Sequence, residues 1–159
     1  MNQRLFAFCE SLKTITIPAG VTTIEKGAFE KCYSLESVTI PNSVTYIGDA
    51  AFFECKSLKE VALPDSVTYI GEYAFSCCTS IIKATIPDGV TTIGDNTFQL
   101  CTSLESATIS NSVISIGKGA FGYCKSLKEI TIPDSVISIG ENAFNNCPAI
   151  INSSPNSNV

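Results

Sequence analysis

Eight cysteines in a chain of 159 residues that has no histidine are the first place to look for chemistry. Seven of them recur at an unvarying interval of 23: Cys9, Cys32, Cys55, Cys78, Cys101, Cys124 and Cys147. A zinc site needs four thiolates converging as a tetrahedron, normally supplied by closely spaced pairs. One cysteine per 23 residues instead puts them in single file. Disulfides fit no better, because stacked strands repeat at ~4.8 Å while a bridge wants Cβ atoms ~3.8 Å apart. We read the seven as reduced thiols that pack as small hydrophobes. Cys77 stands outside this file, beside Cys78, and is read as exposed and as the one reactive thiol. Without histidine there is no imidazole general base, no Cys–His or Ser–His nucleophile pair and no His-ligated metal. We expect no enzyme, no cofactor and no metal.

The cysteine spacing belongs to a larger repeat, and a repeat decides the fold. Three residues before each cysteine stands Phe6, Phe29, Phe52, Phe75, Phe98, Phe121 or Phe144; three after it stands Leu or Ile. Pairs such as Ile15/Ile17, Val38/Ile40 and Ile130/Ile132 follow, then Pro18, Pro41, Pro64, Pro87 and Pro133, with Ser110 in the fifth copy. Val, Ile, Gly and Ala columns complete the unit, with Glu25 and Thr97 as exceptions. The alternating x-Ile-x-Ile stretch predicts a short strand that Pro terminates. Val-Thr-x-Ile-Gly predicts a second short strand, with Gly supplying a left-handed φ. Gly-x-x-Ala-Phe-x-x-Cys spaces its apolar residues by three and four, which predicts a short helical turn.

No unit of 23 residues buries its own apolar face, so the units must stack. The reading is one repeat solenoid over residues 1–151, with six full repeats, partial ends and about seven coils, followed by a polar tail at 152–159. Short parallel strands and short helical turns build each coil. The chain begins in mid-repeat without a polar cap. We therefore expect a piece of a longer array that self-associates through its N-terminal coil.

The unit is written in full from Cys124 through Asn146, as Cys-Lys-Ser-Leu-Lys-Glu-Ile-Thr-Ile-Pro-Asp-Ser-Val-Ile-Ser-Ile-Gly-Glu-Asn-Ala-Phe-Asn-Asn. It closely resembles the BspA-like leucine-rich repeat, and the resemblance runs from Phe6 to about Ile151. It implies a right-handed leucine-rich-repeat solenoid with the Ile-x-Ile strands on the concave side. It also implies a surface or secreted protein acting in adhesion to host surface or matrix proteins. Met1–Glu10 has one basic residue and no continuous apolar stretch, so this chain shows no signal peptide.

Charge narrows the partners. With 10 Lys+Arg against 15 Asp+Glu the net charge is −5, which lacks the basic footprint of a nucleic-acid binder. No apolar run approaches the ~20 residues of a membrane span. Charges alternate between coils, as in Lys13, Glu36 and Lys59, and read as cross-strand pairs. A Thr column (Thr16, Thr39, Thr85, Thr108, Thr131) has charges in its companion column, which spoils an ice-binding lattice of hydroxyls. What remains are large side chains outside the ladders. Tyr46 and Tyr69 share one column, with Tyr73 four residues on. Tyrosine supplies much contact area at low entropic cost. The candidate partner-binding residues are Tyr46, Tyr69 and Tyr73, with Glu60, Lys83 and Thr85 as a polar rim. The expected function is a non-catalytic protein-binding module; the alternative is a structural spacer with no partner of its own.

Overall fold

The computed structural model describes residues 4–148 and 150–153. Residues 154–159, most of the tail set off from the sequence, lie outside the described residues. The chain winds as a parallel solenoid in which most circuits contribute two short strands. The first row consists of β1 (Thr14–Thr16), β3 (Ser37–Thr39), β6 (Lys83–Thr85), β8 (Ser106–Thr108), β10 (Glu129–Ile132) and β12 (Ile150–Ser153). The second consists of β2 (Thr23–Ile24), β4 (Tyr46–Ile47), β5 (Tyr69–Ile70), β7 (Thr92–Ile93), β9 (Ser115–Ile116) and β11 (Ser138–Ile139). Every pairing is parallel and shifts by one repeat, as in Thr14 on Ser37 and Tyr46 on Tyr69, except that β12 pairs with β10 two residues short of a repeat. β12 carries the first row two residues past the boundary drawn at 151.

Inside, the columns become ladders. The seven phenylalanine rings form one stack with centroids 5.1–5.6 Å apart and planes within 9° of parallel. Phe29, Phe52, Phe75, Phe98 and Phe121 are buried, while Phe6 and Phe144 at the ends are half-buried. About five turns are thus enclosed on both sides, fewer than the seven counted from the columns, because the end coils have only one neighbour.

The third side of each coil is not helical; no helix occurs among the described residues. It is a run of tight turns with two left-handed residues in each coil, four positions apart. Gly27, Lys31, Ala50, Glu54, Tyr73, Cys77 and their equivalents all have φ between 51° and 62°. Along this run successive N–H groups bond in different directions. Ala28, Glu30 and Cys32 bond back to Glu25, Gly27 and Phe29, closing turns. Gly27, Phe29 and Lys31 donate to Asp49, Ala51 and Phe53 of the next coil at 2.7–2.9 Å. A helix would satisfy its own carbonyls and leave the adjacent coil without donors. Each non-glycine left-handed residue costs roughly 1 kcal/mol, and the inter-coil bonds and ring stack offset it.

The glycine column also has a different cause from the one expected. Gly48, Gly71, Gly94, Gly117 and Gly140 are not left-handed. Gly48, Gly71, Gly117 and Gly140 are needed because the preceding coil's backbone passes too close for a side chain: a Cβ on Gly48 would lie 2.6 Å from the nitrogen of Lys26.

Candidate functional site

The cysteine ladder does a structural job. Each thiol donates to the carbonyl oxygen of a phenylalanine 26 residues earlier, from Cys32 on Phe6 to Cys147 on Phe121, at 2.8–3.2 Å. The thiols are free, and Cys32, Cys55, Cys78, Cys101 and Cys124 are buried. Burial pushes the Cys32 thiol up to about 11 and those of Cys55, Cys78 and Cys101 higher still. Such thiols are held protonated and are poor nucleophiles and metal ligands. No cluster of three or more metal-ligating side chains occurs among the described residues. Cys77 is half-buried rather than exposed, in a left-handed turn position 3.8 Å from the Ser76 hydroxyl.

Tyr46 and Tyr69 come together. Neighbours in β4 and β5, they stack face to face with centroids 4.6 Å apart and an angle of 6°. They remain 38% and 44% exposed, as outward residues flanked by the buried Ile47 and Ile70. Burial, with Asp49 next in order, raises the Tyr69 hydroxyl above its ordinary range. Tyr73 is also exposed, but sits in the turn that follows, and its N–H bonds to Asp95. No ring contact joins it to the other two among the described residues.

Glu60, Lys83 and Thr85 lie on the other row. Glu60 forms single bridges to Ser37 and Lys83 in place of a strand. With Lys83 and Thr85 it lines a depression of about 230 Å³ that shares no residue with the groove at Tyr69. The polar rim is therefore a separate feature from the tyrosine pair. Elsewhere the alternating charges pair across coils as expected, Lys59 with Glu36 at 2.9 Å and Lys128 with Glu105 at 3.1 Å. The Lys59 hydrogen bond holds the Glu36 carboxyl below its ordinary range.

The second strand row is interrupted between β5 and β7. Gly48, Gly71, Gly117 and Gly140 donate to Ile24, Ile47, Ile93 and Ile116 at 2.7–2.8 Å, while the equivalent bond from Gly94 to Ile70 is missing among the described residues. In the first row the same coils stay joined, through the Glu60–Lys83 bridge and the Ile82 N–H that donates to Lys59 at 3.3 Å. On the turn side the same coils stay joined through Tyr73, Phe75 and Cys77, which donate to Asp95, Thr97 and Gln99. The result is a seam that opens along the second strand row and is closed along the first row and the turns.

Departures from the repeat lie near the seam. Ala84 and Ala107 occupy an inward column held elsewhere by Ile15, Val38, Val61 and Ile130. The lost volume leaves Val61 and Leu63 half-buried beside a cavity of about 10 Å³, which also touches Phe75 and Ala84. Gly89 stands where Ser43 and Ser66 send hydroxyls to the carbonyls of Val21 and Val44 at 2.7 and 2.6 Å, so Val67 receives none.

Sequence reasoning missed what lies beyond Tyr69. The tyrosine column continues as Thr92, Ser115 and Ser138, so one face of the Tyr69 ring has only short side chains below it. A groove of about 460 Å³ opens there, with Tyr69 at one end and the glycines Gly94, Gly117 and Gly140 along it. Glu72 and Asp95 line it too. The column just after glycine reads Asp49, Glu72, Asp95 in succession, and that run of acids was the available signal.

Comparison with known proteins fits this geometry. A sequence profile for the BspA type leucine rich repeat region matches residues 22–151 in six copies. Comparison with curated proteins finds no significant match. Among solved structures, a leucine-rich repeat protein from Bacteroides ovatus is 37% identical with a TM-score of 0.87, over 91% of this chain and 38% of its own. A leucine rich cell surface protein from Faecalibacterium prausnitzii is 38% identical with a TM-score of 0.86, over 96% and 42%. The leucine rich repeat protein of T. pallidum is 31% identical with a TM-score of 0.88, over 92% and 68%. The chain thus spans only about two fifths of the length of two of these three structures.

Proposed function

Because the chain belongs to the BspA-type leucine-rich repeat family, whose fold is generally non-catalytic, we propose that it is an adhesion module of a surface or secreted protein. Its partner is a protein, and a host surface or matrix protein is the class that the family suggests. The observation that carries this reading is the exposed stack of Tyr46 on Tyr69, 4.6 Å apart, in a column that is small and polar in four of the six second-row strands. Ladder residues are buried and nearly identical from coil to coil, so specificity must come from such departures. Tyrosines are enriched where interfaces concentrate their binding energy. The cell-surface description of the Faecalibacterium relative supports the location. No helix among the described residues is long and apolar enough to cross a membrane.

The test is to isolate a protein binder and compare the wild type with the double variant Tyr46→Ser/Tyr69→Ser. We expect normal folding and binding weaker by ~2 kcal/mol or more. Unchanged binding by a folded double variant would remove the tyrosine patch, and a chain that binds nothing would be the structural spacer. Two lesser assignments belong to the same reading. Leu5 and Phe8 are 51% and 55% exposed on the N-terminal coil, which favours self-association there. Cys77 is the thiol that should be labelled ahead of the five buried ones.

A further inference from the structure

We propose that the groove below Tyr69 is an arginine site, holding the guanidinium of an arginine side chain presented by the protein partner. This rests on the reading of the tyrosine pair as a partner-binding surface and adds the chemistry of what it takes.

The argument begins with the ring. Tyr69 has one face covered by Tyr46 at 4.6 Å, while Thr92 stands at the next step of the column. The aromatic stack therefore ends at the seam, with a free π-face looking along the solenoid axis into a groove of about 460 Å³. A flat group entering there continues the stack at the spacing the coils already impose.

Hydrogen-bonding capacity selects the kind of flat group. Thr92 and Ser115 already bond to each other at 3.0 Å. Asp95 uses Oδ1 to accept the Lys118 N–H at 2.7 Å, and no partner is seen for its Oδ2 among the described residues. The Lys118 ammonium pairs with Glu141 at 3.4 Å. Glu72 has its N–H on Asp49 Oδ1, but its carboxylate has no ion-pair partner among the described residues. Next to the free face, then, the unused side-chain groups are carboxylate oxygens, which only accept, beside the backbone N–H of Gly94. A neutral aromatic side chain would leave them unpaired, and an anion would be repelled. A guanidinium is planar and cationic and carries only donors, so it stacks on the ring and bonds to Glu72 and Asp95 together. An ammonium meets the charge but not the flat face.

Space allows the approach. Gly94, Gly117 and Gly140 run along the groove and leave room for a partner's main chain. At Gly94 the nearest atoms to a built Cβ are 3.3–3.4 Å away, looser than at Gly48 or Gly117, because the seam parts the coils here.

The experiment uses the full chain and three blocked pentapeptides, Gly-Gly-X-Gly-Gly, in which X is arginine, lysine or citrulline. Binding is followed by NMR shifts of Tyr69, Glu72, Thr92 and Asp95. The arginine peptide should move these signals saturably, and citrulline, its neutral counterpart of the same shape, should bind at least tenfold more weakly. The variant Glu72→Gln/Asp95→Asn, which keeps the acceptor for Lys118, should weaken the arginine peptide at least fivefold. Equal shifts from arginine and citrulline, no shift from either, or lysine binding as well as arginine would overturn the proposal. So would saturable shifts from methyl glucoside with the arginine peptide inert. A protein binder lost by the double tyrosine variant but held normally by Glu72→Gln/Asp95→Asn would sink the arginine site and leave the tyrosine patch standing.

Discussion

The thiol of Cys78 lies 3.1 Å from the carbonyl oxygen of Phe52, one coil earlier, and donates to it. Both groups are buried, and the same pair recurs along the solenoid. The relationship explains why this column is cysteine rather than valine or alanine. The turn after each phenylalanine needs a side chain that is small and apolar and still offers a donor to a carbonyl that neither sheet reaches.

Replacing Cys78 by alanine removes that donor and leaves the Phe52 carbonyl without a thiol partner. The carbonyl still accepts the Cys55 N–H at 3.1 Å, so we expect a loss of ~0.5–1.5 kcal/mol, the usual net contribution of one hydrogen bond. Urea unfolding of Cys78→Ala against wild type gives the number directly. A change below a few tenths of a kcal/mol would show that the bond contributes nothing net.

The buried thiols also make stability depend on alkaline pH. Burial raises the folded-state values of Cys32, Cys55, Cys78 and Cys101 above the ordinary 9.0. Below pH 9 the thiols are protonated in both states, and the full stability is present. Above it the unfolded chain ionises first and binds fewer protons than the folded one, so stability falls as pH rises, by up to ~1.4 kcal/mol per pH unit for each such thiol. Unfolding midpoints measured from pH 7 to 10.5 should hold and then drop steeply, and Cys55→Ala should make the drop shallower.

Phe75 is sandwiched between Phe52 and Phe98 at 5.2 and 5.4 Å and is buried. Phe75→Ala should cost ~3–5 kcal/mol through lost transfer energy and the cavity left behind. Lys56, exposed and held only by Glu54 at 3.5 Å and by the Tyr33 ring at 4.9 Å, should cost less than ~1 kcal/mol as alanine. Comparable losses in calorimetry would mean that the ring ladder does not carry the core.

Much of this architecture is legible in the sequence because a ladder position must satisfy the same hole in every coil. Period 23, the two strands, the Phe and Cys columns and the stacking of Tyr46 on Tyr69 all follow from identity at fixed spacing. The turn side does not follow. Apolar spacings of three and four look the same in a helix and in a chain of tight turns, and only the left-handed residues at Ala50, Glu54 and Tyr73, none of them glycine, separate the two. The glycine column misled for a related reason: close approach of another coil and a left-handed φ both call for glycine. The seam was hidden because Ala84, Ala107 and Gly89, the departures near it, each look like a harmless exception.

The glycine column offers the sharpest check on the seam. At Gly48 a Cβ would stand 2.6 Å from the Lys26 nitrogen and 2.9 Å from the Glu25 carbonyl carbon, and backbone atoms cannot move aside as a flexible side chain can. Gly48→Ala must therefore push two coils apart and break ladder bonds, and a loss of ~2–4 kcal/mol is expected. Gly94 is the same column one coil past the break, and its nearest obstacles are the Thr97 hydroxyl at 3.3 Å and the Glu72 nitrogen at 3.4 Å. Its own bond to Ile70 is already missing, so there is less to lose. Gly94→Ala should stay within ~1 kcal/mol of wild type, since the restricted unfolded chain offsets part of any crowding. Hydrogen exchange on both variants adds a spatial readout: Gly48→Ala should deprotect β2 and β4, while Gly94→Ala should leave β7 and β9 as they were. If the two substitutions cost the same, the coils are as tightly closed at Gly94 as elsewhere, and the seam does not exist in solution.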